Sequence, residues 1–147
     1  MQTVTKGEYS ISTDQSRLDV KVIHNYLAND SYWAQHIPMD VVKKMIDGSL
    51  CFGVFKGDEQ VGFARMITDK AVFAYLADVF ILPEFRGQGL SKWLMETMLG
   101  HPDLQGLRRI LLVTADAHGL YSQYGFETIT NPEKYMSIHN PDIYTKK

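Results

Sequence analysis

The sequence predicts one α/β domain, a mixed and mostly antiparallel sheet flanked by helices. Three observations carry that expectation. Three apolar runs, "LCFGVFK", "QVGFARMIT" and "AVFAYLADVFIL", follow one another with only short turn signals between them. Helical periodicity precedes these runs and returns after them. The length of 147 residues fits a single domain over 1–147, with no repeat, low-complexity tract or linker-like shift in composition.

The elements follow in order. "EYSIS" reads as a short first strand. "TDQSRLDVKVIHNYLAND" reads as one helix, capped by Asp14 and with Leu18, Val22 and Tyr26 recurring every four residues. "SYWAQHIP" breaks that pattern with clustered aromatics and Pro38, and is expected to be a loop. "MDVVKKMIDG" is a second helix, stopped by Gly48. "LCFGVFK" and "QVGFARMIT" form a hairpin across "GDE". "AVFAYLADVFIL" is too apolar for a strand with one wet face and reads as a central strand covered on both. A helix follows, with Leu90, Leu94 and Met98 on one face and Gly100-His101-Pro102 at its end. "RRILLVTA" is the next strand and "DAHGLYSQYG" a short helix with Asp116 as its cap. "FETIT" and "KYMSIH" are expected as closing strands.

Composition narrows the function. A formal net charge of −2 gives no general attraction to nucleic acid or to an anionic membrane, so any anion site must be local. The single cysteine, Cys51, permits neither an intramolecular disulfide nor a cysteine metal cluster. His24, His36, His101 and His139 lack metal-ligand spacing, and no metal is expected. No signal-like segment or membrane-length apolar run is present, and the expected location is cytoplasmic.

The stretch "LPEFRGQGLSKWL" holds the local anion site. A helix starting near Gly89 leaves its first N–H groups without intrahelical partners and carries partial positive charge there. Glycines at 87 and 89 let a ligand approach the backbone, and Arg86 can pair with phosphate oxygens. A plain strand-to-helix turn is the alternative. The P-loop is absent, because no Gly-Lys-Ser or Gly-Lys-Thr occurs, and the dinucleotide fingerprint fails at Lys92.

A third pattern fits. "VFILPEFRGQGLS" resembles the pyrophosphate loop [QR]-x-x-G-x-[GA] of the GNAT superfamily of acyl-CoA-dependent N-acyltransferases, with Arg86 and Gly89 in place and Ser91 at the last position. About thirty residues on, "LLVTADAHGLYSQYGFE" is similar to the family's second signature, with Tyr121, Gly125 and Phe126 matching and Thr114 where an asparagine is common. The resemblance runs from about Leu50 to Thr130 and is poor before Leu50.

The resemblance implies acetyl-CoA as co-substrate. The backbone of Gly87, Gln88, Gly89, Leu90 and Ser91 would hold its pyrophosphate with the charge of Arg86 beside it, and that of Phe80, Ile81 and Leu82 would run along the pantetheine arm. Tyr121 would be the general acid at the departing sulfur; its structural alternative is a core tyrosine packed beside Phe126. Asp78, a carboxylate inside an apolar strand, is the candidate base, its alternative being a satisfied structural aspartate. Tyr32 and Trp33 are the candidate substrate wall. The implied activity is N-acetyl transfer to the primary amine of a small molecule. A peptide amine as acceptor, or a non-catalytic acyl-CoA-binding module, are the alternatives. Homodimers are frequent in proteins of this kind, and "KYMSIHNPDIY" is the segment available for pairing with a second copy.

Overall fold

The computed structural model describes residues 1–145. Six strands lie in the sheet in chain order: β1 (Thr3–Lys6), β2 (Tyr9–Ser12), β3 (Leu50–Lys56), β4 (Glu59–Thr68), β5 (Phe73–Ile81) and β6 (Arg109–Leu111). Every neighbouring pair is antiparallel except β5 and β6, which are parallel. A parallel pair needs a crossover. Here it is α3 (Leu90–Leu99), which ends at Gly100.

The sheet is buried on both faces. One face packs on α3, through Leu90, Leu94, Met95 and Met98, and on Tyr121 of α4 (His118–Ser122). The other packs on α1 (Val20–Asn25) and α2 (Met39–Asp47), through Ile23, Val42 and Ile46. Alternate residues of each strand serve the two layers, as pleating requires. Phe52 and Ala64 face α3, whereas Cys51 and Phe63 face α1 and α2.

That alternation changes phase inside β5. Phe80 pairs with Phe63 and Ala77 with Arg65, so Ala64 stands opposite both Asp78 and Val79. The extra residue is a β-bulge, and Asp78 takes it up in the left-handed region at φ 56°. Leu76 before the bulge faces α3, and Phe80, four residues later, faces α1 and α2. Strict alternation would have put both on one face. The bulge therefore re-aims the end of β5.

Several expectations need correction. The helix read over 13–30 is two pieces. Asp14 caps only a 3₁₀ turn (Gln15–Arg17), and Leu18 returns to extended backbone. Asp19 then caps α1 by accepting the Lys21 and Val22 amides, and the helix runs out in a π turn over Tyr26–Asp30. A four-residue spacing cannot see a cap placed in its middle. Strand β1 was not expected, because "TVTK" buries little; it pairs with β2 around the positive-φ Gly7. Strand β5 is half-buried rather than covered over its centre, from Ala77 to Val79. Strand β6 covers three residues instead of eight.

The closing strands "FETIT" and "KYMSIH" do not form among the described residues. That segment stands off β6 across a cleft of about 1160 Å³, so no ladder closes. Asp116 does not cap α4. The side chain of Thr114 accepts the Ala117 amide at 3.1 Å and shapes the turn into that helix. The loop over 31–38, α2, the β3–β4 hairpin and the end of α3 lie where the sequence placed them.

Candidate active site

The site lies where β5 and β6 part. Their register runs only from Phe73–Arg109 to Tyr75–Leu111. Beyond it the β5 edge, from Leu76 to Ile81, has no strand beside it on the β6 side. The chain leaves β5 through a 3₁₀ turn (Pro83–Phe85) and enters α3 across Arg86-Gly87-Gln88-Gly89.

Gly87 and Gly89 both sit in the left-handed region, at φ 82° and 80°. A Cβ built on either meets nothing within 4 Å, so open space rather than packing surrounds both. No side chain caps α3. The Trp93 amide, bonded to Gly89 O at 3.0 Å, is the first in the helix with an acceptor. The amides of 87–92 have their hydrogen-bonding capacity unused by the described residues, and Gly87, Gly89, Leu90, Ser91 and Lys92 line a small cleft of about 270 Å³. Oriented amides, a helix N-terminus and room for a ligand fit a pyrophosphate. Leu120 lines the same cleft and brings α4 against the loop.

Arg86 lines the same cleft, with part of its side chain committed elsewhere. Its Nε donates to Ile81 O at 2.9 Å and its guanidinium to the Tyr26 hydroxyl at 3.0 Å. The side chain thus ties the loop to the end of β5 and to the π turn after α1. Leu82 is also committed, its amide donating to Val61 O at 2.8 Å, which removes it from the set free to pair with a pantetheine arm. Gln88 turns outward, donating to Phe85 O and accepting from Tyr9. Phe80 is buried and stacks on Tyr26 at 4.1 Å between ring centroids, and Ile81 lies buried beside the loop.

Tyr121 is buried, 9% exposed, with its ring edge-on to Phe126 at 5.9 Å. Its hydroxyl makes no hydrogen bond among the described residues. Burial above all, with smaller contributions from Tyr32 and Asp116, pushes the phenol above its ordinary value. It is therefore a protonated donor at neutral pH, and it borders the larger cleft. Tyr124 packs, its hydroxyl donating to Lys92 O at 3.2 Å.

The loop after α1 bridges the opening. Tyr32 Oη accepts the Ala115 amide at 3.1 Å, and Trp33 Nε1 donates to Asp78 Oδ1 at 2.8 Å. The two rings meet edge to face at 5.0 Å. Asp78 Oδ2 accepts from Arg65 Nε at 2.6 Å, and Arg65 also reaches Ser49 Oγ at 3.0 Å. The side chains of the ion pair are only 15% and 8% exposed. Removing one member of so buried a pair typically costs about 3–5 kcal/mol.

Asp78 lies beside the bridged opening with its carboxylate committed, which does not suit the role of base expected for it. Both its oxygens already hold donors, and taking a proton would break the ion pair. Two site residues escaped the sequence reading, Arg65 and Tyr26. Arg65 was detectable as a lone cation in an apolar strand facing an aspartate across a hairpin. Tyr26 gave no such signal, because its role depends on Arg86, sixty residues away.

A splayed pair of strands, an amide cradle at a helix start and, one residue on from the Leu120 that lines its cleft, a buried tyrosine make up the candidate site. The family model described as "Acetyltransferase (GNAT) domain" matches residues 47–128, and the chain belongs to that family. A crystal structure of a provisionally named GNAT-family acetyltransferase from Xanthomonas campestris pv. campestris is 52% identical, with TM-score 0.92 over 94% of this chain and 97% of that one. A Gibberella zeae protein provisionally named an acetyltransferase is 35% identical over 144 residues, 83% of this chain and 80% of that protein. The fold is shared at 13% identity by a Clostridium acetobutylicum protein provisionally named an acetyltransferase, whose crystal structure was solved with acetyl-CoA (TM-score 0.65, covering 89% and 94%). No helix among the described residues is long and apolar enough to cross a membrane.

Proposed function

We propose that the protein is an acetyl-CoA-dependent N-acetyltransferase that acetylates the primary amine of a small molecule by direct attack on the thioester. The observation that carries the reading is the set of open amides around two left-handed glycines at the start of α3. An amide cradle of this kind suits a pyrophosphate.

Acetyl-CoA supplies the acetyl thioester. The amides of 87–91 bind its pyrophosphate, and the free edge of β5 at Phe80 and Ile81 guides the arm toward Tyr121. The Tyr121 hydroxyl gives its proton to the departing sulfur, for which burial suits it by keeping the phenol protonated. Tyr32 and Trp33 wall the acceptor side. The proton lost by the amine passes to water, since the Asp78 carboxylate is engaged on both oxygens.

The test is a thermal midpoint with and without acetyl-CoA, followed by thiol release with spermidine, tyramine and lysine as acceptors. A ligand at a hundredfold its Kd stabilises the folded state by about 2.7 kcal/mol. In a domain of this size that is a rise of roughly 5–10 °C. No shift at millimolar acetyl-CoA would overturn the cradle. A shift without thiol release from any amine would favour a peptide acceptor or a non-catalytic module.

A further inference from the structure

The engaged carboxylate of Asp78 has a different use. We propose that Asp78 is a positioning residue, held by Arg65, that fixes the indole of Trp33 as the wall of the acceptor pocket and so sets which amines the enzyme accepts. The inference rests on the reading of the protein as an N-acetyltransferase.

Four observations converge on it. First, Asp78 occupies a bulge at φ 56°, in a region that non-glycine residues seldom enter and that gathers at functional sites. The bulge also re-aims the end of β5, as its phase change shows. Second, the carboxylate divides its oxygens. One takes the Arg65 guanidinium from β4 and the other takes the Trp33 indole from the loop. Third, Arg65 is itself held by Ser49, whose hydroxyl donates to Met45 O at 2.6 Å, so the anchor reaches α2.

Fourth, Trp33 remains 42% exposed although its nitrogen is tied, and Tyr32 beside it is 56% exposed. A tryptophan placed only for packing would bury its ring. This one is fixed at the nitrogen and leaves ring surface to solvent. Tyr32 fastens the same loop to Ala115 across the opening. The loop is therefore pinned to both arms of the splay, with an aromatic corner between the pins. An aromatic corner favours acceptors carrying an aromatic ring or a cationic group beyond the reacting amine.

The test is a set of variants assayed for acceptor KM and kcat with tyramine and spermidine, beside their affinity for acetyl-CoA. Asp78→Gly removes the carboxylate without straining the positive φ. Asp78→Asn keeps an oxygen for the indole. Trp33→Phe leaves the ion pair intact, so it carries the test even where Asp78→Gly does not fold. Trp33→Phe and Asp78→Gly should each raise acceptor KM by roughly tenfold, the scale of one hydrogen bond to a charged group. Their kcat and acetyl-CoA affinity should stay within about threefold of the parent, well inside the scale of one such bond.

The double variant Asp78→Gly/Trp33→Phe should be no worse than the worse single variant, because both remove one interaction. Asp78→Asn keeps an acceptor for the indole but loses the ion pair with Arg65, so its acceptor KM should fall between those of the parent and Asp78→Gly. A loss of kcat of roughly a hundredfold in Asp78→Asn, with acceptor KM unchanged in Trp33→Phe, would make Asp78 a base and overturn the proposal. A second readout needs no acceptor. In a Trp93→Phe background Trp33 is the only tryptophan, and its emission, excited at the red edge where tyrosine does not absorb, should shift in Asp78→Gly. Unmoved emission would overturn the latch, whereas a shift in a protein that acetylates neither amine would leave the latch standing and count against the proposed activity.

Discussion

Replacing Gly89 with alanine separates the two demands placed on the pyrophosphate loop. Gly89 lies at φ 80°, and an added Cβ meets no atom within 4 Å. The substitution therefore costs backbone strain without a clash. Holding an L-residue in the left-handed region costs about 1–2 kcal/mol, or roughly 3–6 °C of midpoint in a domain of this size. The second effect appears only with ligand. A methyl group projecting into the cradle that lowers acetyl-CoA affinity tenfold cuts the stabilisation at a hundredfold wild-type Kd from about 2.7 to about 1.4 kcal/mol, halving the ligand-induced shift. Gly106→Ala supplies the control. Gly106 has φ 75° and equally open surroundings, but it lies outside the cleft, before β6. Differential scanning fluorimetry of the two variants with and without acetyl-CoA should show similar free midpoints and different ligand shifts. A full ligand shift in Gly89→Ala would refute the cradle and reduce the loop to a turn.

Three further outcomes are expected. Tyr121→Phe should bind acetyl-CoA like the parent and turn over about a hundredfold more slowly, the low end of a general acid's contribution; unchanged kcat would remove the phenol from the chemistry. Burial pushes the Cys51 thiol up from 9.0 to about 12, with Asp78 and Asp47 adding to the rise and Arg65 opposing it. Native protein should therefore resist a disulfide reagent at pH 8, with full labelling only in denaturant, and quick labelling of the native state would contradict the burial. Because the folded value exceeds the unfolded one, this contribution to stability is intact below pH 9. It erodes as pH rises from 9 toward 12, which a series of denaturation midpoints would show.

Local rules were legible wherever one element settled its own structure. Gly48 and Gly100 stop α2 and α3 where expected, because a helix end is decided within a few residues. The β3–β4 hairpin follows from two apolar runs and a polar turn. The first helix failed because Asp19, inside the expected run, offers its carboxylate to two amides and restarts the helix. The closing strands failed because strand formation requires a partner edge, and the C-terminal segment stands away from β6. In the site, the glycines were legible because positive φ is written in residue type. The bonding of Arg86 and Asp78 was not, because their partners Tyr26, Arg65 and Trp33 are 60, 13 and 45 residues away.

The sequence by itself determined the family, the strand-loop-helix that offers its amides, and the tyrosine thirty residues downstream. Those depend on short-range chemistry that a linear pattern preserves. Only the tertiary structure decided what the two charged residues do. A guanidinium or a carboxylate bonds whichever groups lie nearest in space, here a carbonyl and a phenol for Arg86 and a guanidinium and an indole for Asp78. Arg86 became a strut, and Asp78 became an anchor for the loop that carries Trp33.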